Sequence, residues 1–464
     1  MGALSACSRI GKPDLPDVVL IVVDTLRADR LGATRNYVPL TPTLQELAET
    51  SVNFTEAYSQ ETFTKPSVAS ILTSLCPEVH GVNFGIWTPA QLGKSDSLNQ
   101  EVQVDALSPK LPSLPAMMKA AGYTTIAYQT NMQLHTESGF DHGFDQYHYL
   151  GDIAADAVTP KAVSSLENTR GPLFLYVHYM DPHLPYNPPK DAITPFGPYP
   201  EISHSDTEIL KAYRDYYADL VAYGFGLKPE RDTKPLSQKG RRFVRYMYDG
   251  DVRFLDQQIA ALIDAVKKRN PESLIVLTSD HGEEFWEHGS VGHTKTAYRE
   301  LAHVPMIFSA QGLNAQKIST PVENIDILPT VASFLGIPPP DGCQGTSLVS
   351  LFSKETKSPS KAIYTSASGM QPWDKIKWQS VYADGYRLVK NLSKNTIELF
   401  DIENDPREQN SLTKTKPDKI NALENALETR LAANADHPMR QKTVVKVQLD
   451  AEDLEALRSL GYIR

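Results

Sequence analysis

The sequence predicts an α/β fold, a large and mostly parallel sheet sandwiched by helices, followed by a smaller C-terminal α+β domain. Three observations carry that expectation. Short apolar, β-branched runs alternate with stretches of helical spacing through the first three quarters of the chain. Two acidic residues, Asp24 and Asp280, fall immediately after strongly apolar runs. The pattern then changes after the Pro-rich Ile337-Pro338-Pro339-Pro340.

In chain order the strand candidates are Val18–Val23, Thr124–Tyr128, Leu173–His178, Leu274–Thr278 and Val304–Phe308. Such runs are buried on both faces, as parallel strands are. The helical segments between them are Thr43–Glu49, Ser67–Leu75, Leu114–Ala121, Arg253–Lys267 and Ile325–Leu335. Crossover connections place those helices on both faces of the sheet. Sites in such folds sit at the carboxyl ends of the strands, which marks Asp24 and Asp280 as the first candidate site residues. Residues 187–245 break the alternation with many Pro, Tyr and charged residues, and read either as a lid or recognition insertion or as a surface excursion with a short helix. Further on, Tyr382–Val389 and Glu398–Asp401 read as two strands of a small antiparallel sheet, and Lys416–Leu431 as a helix. The expected division is a linker over 1–16, a large domain over 17–345 and a small domain over 346–464.

A chain of 464 residues, 41% hydrophobic and 22% charged, has the composition of a protein that folds in water. Its formal net charge of -10 argues against nucleic acid as a partner, because backbone phosphates demand clustered Lys and Arg. An anionic substrate would need a local cationic site or a metal. The three cysteines, Cys7, Cys76 and Cys343, are too few and scattered for a disulfide framework or a cysteine-rich zinc site. Cys76 reads as a small core residue. Leu4-Ser5-Ala6-Cys7 resembles a bacterial lipobox, whose cysteine is acylated, although the apolar body of a signal peptide does not precede it. The expectation is a lipid anchor at Cys7, a location in the bacterial cell envelope or periplasm, and membrane contact through that anchor alone.

Several blocks resemble the sulfatase family of the alkaline phosphatase superfamily. VVLIVVDTLRADRLG at Val18–Gly32 is similar to the family's opening strand and first metal aspartate. TKPSVASILTSLCPEVHGV at Thr64–Val82 resembles the nucleophile motif, usually C-x-P-S-R before a helix and an H-G pair. LYVHYMDPHLPY (175–186), LTSDHGEEFWEHG (277–289) and GHTKTAYRE (292–300) resemble the later active-site blocks, and IELFDIENDPREQNSL with the final LEALRSLGYI resemble family C-termini.

The resemblance implies a metal-dependent ester hydrolase or transferase with one divalent cation, Mn, Ca or Zn, held by Asp24, Asp280, His281 and Thr64. The chemistry agrees: two carboxylates suit a hard cation, and an imidazole widens the choice toward Mn or Zn. Coordination would lower the hydroxyl pKa of Thr64, the candidate nucleophile. Pro66 suits the first turn of the following helix, so Thr64 is expected just ahead of a helix N-terminus, where amides favour an anion. Lys295, His183 and His293 are similar to the family's substrate contacts, which hold non-bridging oxygens or protonate the leaving group. Asn131, with Gln133 two residues on, stands near the family's usual Lys-x-His pair and removes cationic charge there. Asp181-Pro182-His183 lacks the Asp-x-x-x-His spacing of a second metal site, and His281 with His288 lacks the known zincin spacings. Glu283, Glu284 and Glu287 read as the solvated or salt-bridged face of a helix after His281.

Two departures matter. Sulfatases convert the motif cysteine or serine to formylglycine, which threonine cannot become, and Val68 stands where the motif arginine belongs. An ordinary alcohol nucleophile favours phosphorus over sulfur, and a phosphodiester or phosphonate monoester is the easier substrate to neutralise. A true sulfatase acting on an extracellular sulfated substrate, and a non-catalytic metal-binding lipoprotein, remain as alternatives. The substrate is expected to be an anionic ester, lipid or glycan linked.

Overall fold

The structure, a computed structural model, describes residues 15–87, 101–151, 153–215, 236–353, 361–369 and 377–448. Cys7 and the final Leu454–Ile463 block lie outside them. Among the described residues nine strands form the central sheet: Val18–Val23 (β1), Val52–Tyr58 (β2), Thr124–Gln129 (β3), Gln146–Tyr149 (β4), Leu173–Tyr179 (β5), Leu274–Ser279 (β6), His303–Ser309 (β7), Gln316–Ile318 (β8) and Val322–Glu323 (β9). The order is β8-β2-β7-β6-β1-β5-β3-β4, with β9 also paired to β2. β1 is parallel to β5 and β6, and β7 is antiparallel to both its neighbours, β6 and β2. One reversed strand therefore makes an otherwise parallel sheet mixed.

The two sheet faces divide β1 by alternation. Val18, Leu20 and Val22 pack against Thr64–Thr73 (α2), Leu114–Ala120 (α3) and Ile327–Phe334 (α6) through Val68, Met118 and Leu328. Val19, Ile21 and Val23 pack against Pro42–Thr50 (α1), Ala155–Asn168 (α4) and Gln238–Arg269 (α5) through Leu44, Val158 and Ile259. Each fully buried Val or Leu contributes about 1.5–3 kcal/mol, so this doubly covered strand anchors the site at its end.

Three departures from the sequence reading have local causes. β2 was not expected: Asn53, Thr55 and Glu56 interrupt its apolar character, and Glu56 is used to hold Arg299. α5 starts at Gln238, inside the stretch expected to be irregular, capped by the Ser237 side chain on the Gly240 amide. Tyr382–Val389 is not one strand but the two arms of a hairpin, because Asp384 and Gly385 both take positive φ, +51° and +79°. That dipeptide is a two-residue turn signal.

The small sheet has four antiparallel strands, Ile363–Ala367 (β10), Trp378–Ala383 (β11), Tyr386–Asn391 (β12) and Thr396–Asp401 (β13), and Pro417–Ala435 (α7) covers it through Leu423 and Leu427. Cys76 is buried in the same apolar cluster, as expected of a core residue. The chain then returns: Val444–Gln448 pairs with Glu101–Asp105 in a separate three-stranded sheet. Gly81 (φ +76°) allows this return, since a Cβ there would lie 1.9 Å from the Gln441 carbonyl oxygen.

Candidate active site

Asp24 follows the last residue of β1, and Asp280 follows β6, its parallel neighbour, so the register of the two strands sets the carboxylates side by side. The Asp280 carboxylate is oriented by the amides of Thr25 (3.2 Å) and His281 (2.8 Å) on Oδ1. Asn131 donates from Nδ2 to Asp24 Oδ2 at 2.9 Å. The remaining oxygens, Asp24 Oδ1 and Asp280 Oδ2, are buried and have no hydrogen-bond partner.

Thr64 is the first residue of α2, one place further into the helix than the sequence suggests, with Phe63 as N-cap and Pro66 in the first turn. Its Oγ1 lies 3.4 Å from Asp24 Oδ2 and 3.3 Å from His281 Nε2. His281 Nδ1 donates to the Gly282 carbonyl at 2.9 Å, which turns Nε2 toward Asp24 Oδ1 at 3.8 Å and Asp280 Oδ2 at 3.6 Å, and those two carboxylates raise the imidazole against its burial. Burial, then the facing Asp280, pushes the Asp24 carboxyl above its usual range. Asp280 resists the same burial because His281 and His178 hold it down, to about 2.

His178 is the residue that sequence reasoning missed. It lies near the end of β5, with Nε2 3.9 Å from Asp280 Oδ2 and neither ring nitrogen hydrogen bonded. With Asp24 and Asp280 it forms a buried triad whose ligand atoms all lie within 4.8 Å of one another. A lone imidazole inside an otherwise apolar run was the available signal. Two carboxylates, two imidazoles and a hydroxyl, with open oxygens converging, fit a divalent cation of the Zn or Mn type.

On the other side of His281 lies a second group. The ring of His293 is 4.5 Å from that of His281 and 4.9 Å from that of His183. His293 Nδ1 meets Glu283 Oε1 at 3.0 Å, and the Tyr186 hydroxyl donates to Glu283 Oε2 at 3.0 Å. Glu283 and Glu284 are therefore buried, not solvated: no helix follows His281, but a two-stranded ribbon of Glu284–Phe285 and Val291–Gly292. Burial raises both carboxyls to about 7. Glu287 forms a partly buried ion pair with Arg27. Burial likewise lowers Lys295, whose ammonium donates to the Val291 carbonyl at 3.0 Å. His288 turns away from His281, to Glu300 and the Glu408 carbonyl, so the two do not share a metal. Val68 points into the core. Lys65, beside Thr64, is buried with its ammonium unpartnered and lowered to about 7 by burial; nothing in the structure explains its place.

Carboxylates, imidazoles and a hydroxyl are thus gathered at the strand ends of an α/β sheet, where such folds place their sites. The sulfatase family profile matches residues 16–337, and the C-terminal profile of N-sulphoglucosamine sulphohydrolase matches residues 287–437. The chain belongs to the sulfatase family, and is a hydrolase of that family. It is 22% identical over 459 residues to the uncharacterized sulfatase YidJ of Escherichia coli, covering 86% of this chain and 83% of that one. It is 24% identical to human iduronate 2-sulfatase, covering 85% and 76%. Among solved structures, one in complex with its substrate D-glucosamine-2-N,6-O-disulfate superposes with a TM-score of 0.70 at 20% identity, covering 91% of this chain and 99% of that one. The phosphonate monoester hydrolase of Silicibacter pomeroyi gives 0.68 at 20% identity, covering 91% and 96%. The expected sulfatase-like fold is thereby confirmed.

Proposed function

We propose that this protein transfers a phospho- or sulfo-ester group to Thr64 and releases it to water or a second alcohol, with phosphodiesters or phosphonate monoesters as preferred substrates. The observation that carries the reading is Thr64 Oγ1 at a helix start, within 3.4 Å of both Asp24 Oδ2 and His281 Nε2. Asp24, Asp280, His281 and His178 would hold the cation, with Thr64 beside it. When bound, a divalent ion supplies Lewis acidity, lowering the pKa of a coordinated hydroxyl and drawing charge from the transferring group.

The chain's own residues do the rest. Asn131 keeps Asp24 Oδ2 turned toward Thr64. The first turn of α2 offers free amides to the oxygens of the group in transfer. Burial, with His281 and His183 beside it, holds the His293 ring well below its usual range, so the Glu283 carboxylate on Nδ1 must help the ring carry the proton that Nε2 gives to the leaving oxygen. His183 packs beside that ring and, with Lys295, completes the polar wall facing the substrate.

Threonine at position 64 and valine at 68 favour phosphorus. The sulfatase relatives favour a second reading, a sulfuric ester hydrolase acting on a sulfated, glycan-type substrate. Turnover of p-nitrophenyl sulfate, phosphate, phosphodiester and phenylphosphonate by wild type and Thr64→Ala, each with Mn, Ca, Zn and Mg, separates the two. Thr64-dependent release from phosphorus esters alone is expected; Thr64-dependent release of sulfate would overturn the chemistry. Silence on every ester would favour a metal-binding lipoprotein without turnover. The envelope location rests on the sequence around Cys7, and incorporation of labelled palmitate that is lost in Cys7→Ser is its test.

A further inference from the structure

Against the net charge of -10, one cavity is cationic. It measures about 420 Å³ and is lined by residues just past β1, by Arg245 of α5, by His303 at the start of β7 and by the Pro406-Arg407 turn after β13. It therefore lies at the same end of the sheet as the catalytic cluster, at the seam with the small sheet. Its floor adjoins that cluster, since Arg27 Nη1 donates to the Glu283 carbonyl at 2.9 Å.

Five arginines line the cavity against three carboxylates. Three of the arginines are paired. Arg27 holds Asp29 and Glu287 at 2.8 Å each, Arg30 holds Asp29 and Asp249, and Arg299 holds Glu56 and the Tyr58 hydroxyl. The other two are held less tightly or not at all. Arg407 is exposed, and its guanidinium has no partner among the described residues. Arg245 donates to the Phe285 carbonyl and meets Glu287 only at 3.8 Å, an acid that Arg27 already holds. Glu300 is taken by His288 at 2.7 Å. His303, lowered to about 4 by burial and then by Arg299, adds no charge. Burial pulls Arg245 below the usual guanidinium range; Glu287 and Asp249 oppose that shift, and Arg27 and Arg30 add to it.

We infer that this cavity is a second anion site, taking a dianionic oxyanion of the sulfate or phosphate type between Arg245 and Arg407. Arg407 brings an unpaired charge and Arg245 one that only shares Glu287 with Arg27, and their planar forks suit the oxygen pairs of a tetrahedral anion. The volume exceeds what a bare ion fills and is of the size that holds an organic group. Two sources fit this chemistry: a free inorganic anion, or a second charged group on an extended substrate. Only the latter rests on the reaction proposed above.

The test is calorimetric titration of inorganic phosphate and of sulfate into metal-loaded wild type, Arg407→Ala, and Arg245→Ala/Arg407→Ala, with selenate soaked into crystals as a locating probe. Wild type is expected to bind one equivalent more than the double variant, about tenfold or more tightly than Arg407→Ala at that site, and to lose the difference as salt rises. An anomalous peak between Arg245 and Arg407 is expected in the same crystals. Equal stoichiometry in all three proteins, or selenate confined to the cluster around Thr64, would overturn the site. Because binding is read without turnover, its failure is distinguishable from failure of the proposed reaction. If phosphate alters p-nitrophenyl ester turnover in wild type but not in the double variant, the source is a free anion. If only the KM of a polyanionic substrate rises in the variant, while small-ester turnover holds, the source is the substrate. If selenate occupies the cavity yet neither reading moves, the anion there is adventitious and the inference fails.

Discussion

Among the buried charge clusters of the described residues, two are finished differently. At the seam with the small sheet, Arg387 and Glu408 are both buried and every group is answered. Arg387 Nη1 donates to Glu408 Oε1 at 2.7 Å and its Nη2 to Ser380 Oγ at 2.7 Å, while Glu408 Oε2 receives the Arg299 amide at 2.7 Å. At the strand ends, Asp24, Asp280 and His178 are equally buried, yet an oxygen of each carboxylate and both nitrogens of His178 are left without a hydrogen bond. Burying a polar group unpaired costs free energy that the fold recovers only from something added later. The closed cluster ties the small sheet to the Arg299 segment, and the open one has the unmet valences that a cation would satisfy.

The contrast is sharpest for Asp280→Asn. It should cut ester turnover by more than about 1000-fold, about 4 kcal/mol, and yet cost the metal-free protein far less in urea than breaking a buried ion pair does, since the amide gives up the charge that His281 and His178 favour but also ends the repulsion with Asp24. A stability loss as large as that of a buried ion pair would erase the distinction between the clusters. Glu408→Gln should do the reverse. Leaving Arg387 buried without its counterion should cost about 3–5 kcal/mol in urea denaturation, with p-nitrophenyl turnover of the folded fraction held near wild type. Mn or Zn at about a hundred times its Kd should stabilise wild type by about 2.7 kcal/mol and Asp280→Asn scarcely at all, as read by thermal denaturation with and without chelator.

Glu283 belongs to neither cluster and tests the boundary between them. Glu283→Gln should slow esters with poor alkyl leaving groups by about 10–100-fold and p-nitrophenyl esters much less, because only the former need a proton from His293. An equal loss for both would make Glu283 a packing residue. The smallest effect should be at His288. Burial opposes its charge, but the bond to Glu300 raises it to about 9. That stability is fully present below the unfolded value near 6.5 and is lost as pH rises through 9, about 1 kcal/mol once the ordering of two side chains is discounted. His288→Gln should flatten this alkaline limb of the urea midpoint.

Most of the open cluster was legible in the sequence, because Asp24 and Asp280 end apolar runs and the Thr64, His281 and His293 blocks have family spacing. His178 was not: a histidine inside a buried strand reads as part of the run until β5 is laid beside β1. Glu283, Glu284 and Glu287 mimic helical spacing, and only the ribbon from Glu284 to Gly292 shows two of them turned inward. The seam was the least legible part. Arg387 and Glu408 sit in unremarkable polar stretches, and their pairing depends on the Asp384-Gly385 turn that splits one apparent strand into a hairpin.

The return of Val444–Gln448 to Glu101–Asp105 has a consequence for biosynthesis. During synthesis the Glu101–Asp105 strand emerges hundreds of residues before the segment that covers one of its edges. Until that segment arrives, the strand presents an open row of amides and carbonyls, the kind of edge that recruits a neighbouring chain. Ribosome-bound chains that stop short of residue 444 should therefore depend on chaperones, and that dependence should end once the ladder closes.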